Sequence, residues 1–152
     1  MTAIVRRSAR VILLDGDELL LIKRTRPGGT PYWVTVGGGV EPEDRTVEAA
    51  AHREVFEELG ATITAPKLVF LITDELDAGI GVQHIFVARL QSMNIRARTG
   101  PEFSKPERGV YEAVRVPFTA EGLRSVELMP PVLGEYVAAN ITALTEVASS
   151  SP

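Results

Sequence analysis

GGGVEPEDRTVEAAAHREVFEELGA, residues 37–61, is the stretch around which the rest of this chain is organised. Its second half carries a helical pattern. Ala51, Val55 and Leu59 recur every four residues from about Thr46 to Leu59, and Gly60 is a natural stop. At about 100° of turn per residue, Glu54, Glu57 and Glu58 share an arc of roughly 100° beside the apolar one. Three carboxylates are thus gathered at the edge of a buried face. Like charges at these spacings repel, and the C-terminal end of a helix disfavours negative charge. A hard divalent cation with oxygen ligands would compensate for both. By spacing alone, a solvated acidic face is an equally good reading. Arg53, four residues before Glu57, is placed to pair with that carboxylate.

Immediately upstream stand Gly37, Gly38 and Gly39. Consecutive glycines permit tight turns and close approach of a ligand or ion. Their carbonyls can ligate a metal and their amides can meet phosphate oxygens. Taken alone they read as a flexible turn. Further upstream, 9–14 (ARVILL) and 18–23 (ELLLIK) flank Asp15-Gly16-Asp17, which predicts a hairpin. Residues 25–31 (TRPGGTP) predict a loop, and 32–36 (YWVTV) a third strand. Downstream, strands are predicted over 62–73 and 80–90 with a turn at Asp74 to Gly79, a long loop over 94–109 and a strand over 110–116. Pro130-Pro131 opens a last helix reaching about Leu144. The order strands, helix, strands, helix predicts an α/β fold, a mixed β-sheet flanked by helices on both faces. One domain is expected over 1–146, with 147–152 a disordered tail.

The chain's 152 residues suit one domain with a real core. With 45% hydrophobic and 24% charged residues, the composition is that of an ordinary globular protein. Lys and Arg number 16 against 20 Asp and Glu, a formal charge of -4, which argues against a nucleic acid polymer as partner. A free nucleotide stays compatible, because a bound divalent cation offsets local carboxylate charge. No cysteine is present, so disulfides, thiolate metal sites and cysteine nucleophiles are excluded. No apolar run reaches membrane-spanning length, so no membrane partner is expected. Val11 to Leu14 follow Arg6, Arg7 and Arg10, but that run is too short for a signal peptide and has no small-residue cleavage site after it. A cytoplasmic location is expected.

The 37–61 segment resembles the Nudix box, G-x5-E-x7-R-E-U-x-E-E-x-G-U, where U is a bulky aliphatic. Gly38 matches the leading glycine, and Arg53, Glu54, Val55, Glu57, Glu58 and Gly60 match the second half. Two positions depart from the pattern. Counted from Gly38 the first Glu falls on Asp44, and eight residues rather than seven separate Asp44 from Arg53. The turn is one residue longer, with Glu43 or Asp44 in the acidic place. The last aliphatic is the small Ala61.

The resemblance implies a Nudix-like α/β/α sandwich and an enzyme acting on phosphorus-containing acid anhydrides. The implied reaction is Mg²⁺- or Mn²⁺-dependent pyrophosphohydrolysis of a small nucleoside-diphosphate-linked substrate, of nucleoside triphosphate, nucleotide sugar or ADP-ribose type. It makes Glu57, Glu58 and a backbone carbonyl near Gly38 metal ligands, Glu54 a ligand or the base, and Arg53 the residue that orients the glutamates. A further catalytic Glu is expected on a distant loop, with Glu107 first and Glu102 second. The alternative is a catalytically weak nucleotide-binding or regulatory module, supported by the longer turn. Isomerisation of an isoprenoid diphosphate is disfavoured by the lack of cysteine. Arg24 and Arg26 are candidates for phosphate contact and Trp33 for base stacking; a solvated strand end and a core tryptophan are the plain readings. Tyr111 suits pocket or core equally. His52 and His84 have no second histidine at ligand spacing, so no zinc site is expected. A homodimer is left open.

Overall fold

The computed structural model describes residues 3–99 and 106–150. The hairpin at Asp15-Gly16-Asp17 is present. Strand β1 (Ile4–Asp15) pairs antiparallel with β2 (Glu18–Thr25) from Asp15↔Glu18 to Leu13↔Leu20, and Gly16 turns at φ 61. Beyond Leu20 the two strands part, and the chain from 32 to 39 fills the gap. Strand β3 (Tyr32–Val34) pairs with β2, and β4 (Val36–Gly39) pairs with β1. Thr35, buried at 1% exposure, is where the chain crosses from one partner to the other. The single strand expected over 32–36 is therefore two short ones.

The glycines expected as a turn are a paired strand, with Ala9↔Gly38 and Arg10↔Gly37 in register. Backbone proximity is the physical reason. A Cβ on Gly37 would stand 2.1 Å from the Ala9 carbonyl oxygen, and the residue sits at φ 150, where side chains are disfavoured.

The second expected strand region divides at Pro66, which cannot donate to a ladder. Strands β5 (Ala61–Ile63) and β6 (Lys67–Leu76) both pair antiparallel with β7 (Gly79–Met93), which runs parallel beside β1. Strand β8 (Val110–Pro117) lies antiparallel along β2 and completes a mixed sheet. The expected 94–109 loop contains single 3₁₀ turns at Ile95–Ala97 and Pro106–Arg108. Glu102 lies outside the described residues.

Side chains alternate across the sheet and build two cores. On one face, helix α1 (Val47–Leu59) buries Ala50, Ala51, Val55 and Leu59 against Ala9, Val11, Leu13, Leu20, Ile22 and Phe86. On the other, Ile12, Leu14, Leu19, Leu21, Ile85 and Val87 are covered by α2 (Ala120–Arg124), α3 (Pro131–Ala139) and α4 (Ile141–Ser149). The expected sandwich is thus observed. Helix α2 is too short to announce itself by periodicity, although Thr119 caps it by accepting from the Gly122 amide. The last helix is interrupted at Asn140, whose backbone leaves the helical region and whose side-chain Nδ2 donates to the Tyr136 carbonyl. Helix α4 continues past 146, where the ordered domain was expected to end. Ala148 is buried in the core, and Lys67 Nζ donates to the Val147 carbonyl at 3.0 Å.

Candidate active site

Helix α1 starts and stops where its sequence says it should. Thr46 Oγ1 accepts from the Ala49 amide, satisfying one open donor of the first turn. Gly60 closes the helix at φ 62, and its amide reaches the Phe56 carbonyl. The caps fix the ends of the helix, and burial of Val55 and Leu59 against the sheet sets the rotation that brings Glu54, Glu57 and Glu58 to the edge of β4.

The carboxylates are anchored from two sides. Glu58 is buried at 6% exposure, and its Oε1 accepts from the Gly37 amide at 2.6 Å. Glu54 lies on Gly38, where an added Cβ would come within 2.6 Å of the carboxyl carbon. Arg53 gathers the others. Its Nη1 donates to Glu54 Oε1 at 3.0 Å and Glu57 Oε2 at 3.1 Å, while Nη2 donates to the Gly39 carbonyl at 2.9 Å. One guanidinium therefore ties the helix to the glycine strand. No basic residue stands in the last turn of α1, so Arg53 also offsets the charge that the helix dipole disfavours.

The longer turn does not break this arrangement. Asp44 takes the acidic place in a two-pronged pair with Arg53, Nε to Oδ1 and Nη2 to Oδ2, both at 2.9 Å. Asp44 Oδ2 also accepts from the Glu41 amide at 2.8 Å, closing the turn. Hydrogen bonding from Arg53 holds the Asp44 carboxyl below its usual range, and the same contact raises Arg53 above the ordinary guanidinium value.

These donors fit a hard divalent cation. They are carboxylate oxygens beside the backbone of a glycine strand that is buried at Gly37 and half-buried at Gly38 and Gly39, with neither sulfur nor imidazole among them. Among the described residues, however, no group of three or more His, Asp or Glu side chains is drawn together tightly enough to hold an ion. Glu54 and Glu57 converge on Arg53, and Glu58 on an amide. Side-chain rotation at 54 and 57 would be needed to bring them onto one cation.

Other expected site residues fall elsewhere. Arg24 pairs in register with Tyr32 and Tyr111. Its guanidinium lies 5.5 Å from the first ring and 4.5 Å from the second, and it donates to the Tyr111 hydroxyl. Arg26 lies 5.4 Å from the Tyr32 ring. Glu107 is exposed and shares a cavity of about 350 Å³ with Arg24, Arg26, Pro27, Arg108 and Tyr111, not with the α1 carboxylates. Trp33 points to the opposite face, packs on the α2–α4 core and has Lys23 Nζ 5.6 Å from its ring. The structure thus separates Trp33 from Arg24 and Arg26. His84 contacts Arg7, and burial holds its pKa below the usual imidazole value.

One residue at the site was missed. Arg10 Nη1 donates to the carbonyls of Thr35 at 3.3 Å and Gly37 at 3.1 Å. Burial lowers its pKa, while the fields of Glu58 and then Glu54 oppose that shift. The available signal was a lone charge inside the apolar run ARVILL, since charged residues enter such strands only when paired.

A family model described as the NUDIX domain matches residues 5–120, from the start of β1 into α2. Among solved structures, the chain is similar to a NUDIX hydrolase from Nitrosomonas europaea, with 15% identity, 97% of this chain and 92% of that chain covered, and a TM-score of 0.67. It is similar to the ORF135 protein of E. coli at 19% identity, with 96% and 94% covered and a TM-score of 0.64. An ADP compounds hydrolase is matched at 20% identity, with 94% and 72% covered and a TM-score of 0.64. No curated protein matches. Structural likeness at such identities speaks for the fold; the family model, which spans most of the chain and takes in all of the 37–61 segment, goes further. The chain belongs to the NUDIX family and is a hydrolase of phosphorus-containing acid anhydrides.

Proposed function

We propose that this protein is a Mg²⁺- or Mn²⁺-dependent pyrophosphohydrolase that cleaves the diphosphate of a small nucleoside-diphosphate-linked compound. The observation that carries the reading is the junction of α1 with β4. It sets Glu54 on Gly38, Glu58 on the Gly37 amide and Glu57 on the Arg53 guanidinium. In this reading Glu57, Glu58 and the Gly38 carbonyl hold the cation, with Glu54 as a further ligand or the proton acceptor. When bound, a divalent cation supplies neutralisation of the diphosphate and activation of water. Arg53 orients the glutamates, and its pairing with Asp44 fixes it in place. Water attacks phosphorus, the bridging P–O bond breaks, and a carboxylate of this group takes the proton. Positioning and electrostatics supply most of the acceleration in such phosphoryl chemistry.

The substrate class extends the same reading. The similarity to the solved ADP compounds hydrolase supports a nucleotide-type substrate. The cavity of Arg24, Arg26, Arg108 and Tyr111 offers cations and a ring to such a molecule. A panel of nucleoside triphosphates, nucleotide sugars, ADP-ribose and dinucleoside polyphosphates, assayed with Mg²⁺ or Mn²⁺ for phosphate release through an added phosphatase, tests it. At least one is expected to turn over, and Glu58→Gln is expected to lower that rate about a hundredfold or more with the circular dichroism spectrum unchanged. Nucleotide binding without turnover of any compound favours the regulatory-module reading. Unchanged turnover in Glu58→Gln overturns the site.

A further inference from the structure

We propose that Arg10 is a positioning residue for this site, holding the glycine strand where Gly37 meets Glu58 and Gly38 meets Glu54. The inference rests on reading that junction as a metal site. In β1, Ala9, Val11 and Leu13 face α1, while Ile12 and Leu14 face the other helices. Arg10 shares the second parity, so it reaches the glycine strand from the face opposite α1. One of its nitrogens donates to two carbonyls, Thr35 and Gly37, on either side of Val36. Thr35 is where the chain leaves β2 for β1, and the Gly37 amide is the donor that holds Glu58.

Strand β4 has reason to need such a tie. It is VGGG, so three of its four residues have no side chain to pack. Glycine also loses more backbone freedom on ordering than any other residue. The hydrogen bonds from Arg10 supply from the side what β4 cannot supply by packing. A guanidinium carries donors and no acceptor, which suits it to two carbonyls at once. Arg53 does the corresponding work from the α1 side, through the Gly39 carbonyl. The two arginines therefore clamp β4 from opposite faces of the sheet.

Charge and position predict opposite signs for one measurement. Removing a cation near Glu54 and Glu58 would, by Coulomb attraction alone, tighten binding of a divalent ion. Releasing the glycine strand would weaken it. Mn²⁺ alone is titrated into the full-length chain and followed by electron paramagnetic resonance, for the wild type, Arg10→Met and Arg10→Lys. Groups that orient ligands from behind commonly affect metal affinity by 10- to 100-fold. Arg10→Met is expected to bind Mn²⁺ about tenfold more weakly, with Arg10→Lys in between and both folded by circular dichroism. Affinity equal to or tighter than wild type in folded Arg10→Met overturns the proposal. Should Arg10→Met not fold, Arg10→Lys decides: weaker binding supports the tie, and unchanged binding overturns it. A wild type that binds no Mn²⁺ overturns the metal-site reading and this inference together, whereas a normal wild type beside an unaffected variant overturns this inference alone.

Discussion

Gly37 and Gly38 are neighbours whose missing side chains matter for different reasons. A Cβ on Gly37 would meet fixed backbone, the Ala9 carbonyl at 2.1 Å and Arg10 Cα at 2.7 Å. A Cβ on Gly38 would meet only the end of the Glu54 side chain. Gly37→Ala is therefore expected to cost at least about 2 kcal/mol in urea unfolding, from strain and overpacking. Gly38→Ala is expected to cost less than about 1 kcal/mol while displacing Glu54 and lowering turnover more than tenfold. Equal stability losses in the two variants would contradict this division. Asp44 gives a second prediction. Arg53 depresses its folded pKa, so the unfolded chain binds the proton more readily than the native state. The stabilisation is complete above the ordinary Asp value of about 3.9 and disappears as pH falls through the lower folded value. Asp44→Asn should accordingly be less stable than wild type near neutral pH, with the gap closing in acid. A gap of constant size from about pH 6 to pH 2 would show that the pair does not act through ionisation.

At the scale of the element, α1 is both a core helix and the carrier of the chemistry. Thr46, Val55, Leu59 and Gly60 do the structural work; the apolar spacing of Val55 and Leu59 and the glycine stop were legible as local signals, whereas Thr46 was read only as the start of the pattern and the structure shows it as the cap. Leu59 is fully buried in the last turn, next to Glu57 and Glu58. Leu59→Ala should cost about 2–5 kcal/mol, read as a lower urea midpoint at unchanged slope. A loss under about 1 kcal/mol would mean that the helix end is not anchored as described. Strand β4 shows the opposite case. Three glycines carry no β-propensity, so their pairing with β1 was invisible before the partner strand was in place.

At the scale of the molecule, the site lies where the sheet opens. Strands β1 and β2 part after the hairpin, β3 and β4 fill the gap, and α1 crosses beneath with its acidic edge against β4. A ligand that binds only this assembled state stabilises the whole fold by mass action. Mn²⁺ at about one hundred times its dissociation constant should add about 2.7 kcal/mol, on the order of 5–10 °C in Tm for a domain of this size. Excess EDTA should reverse the shift, and Glu58→Gln should show little of it. An unchanged wild-type Tm with Mn²⁺ present would count against the metal site.

What the sequence determined by itself was whatever depends on neighbours along the chain. The hairpin at Gly16, the extent, apolar face and glycine stop of α1, the shared arc of Glu54, Glu57 and Glu58, and the family pattern all belong there. Tertiary structure alone decided what depends on strands meeting at a distance. It chose Asp44 as the partner of Arg53, made a strand of Gly37 to Gly39, turned Trp33 away from Arg24, and brought Arg10 against Thr35 and Gly37. The physical reason is that helix periodicity and capping act within a few residues, whereas register and the choice of sheet face are set only when a second strand supplies the hydrogen bonds and the backbone against which a side chain fits.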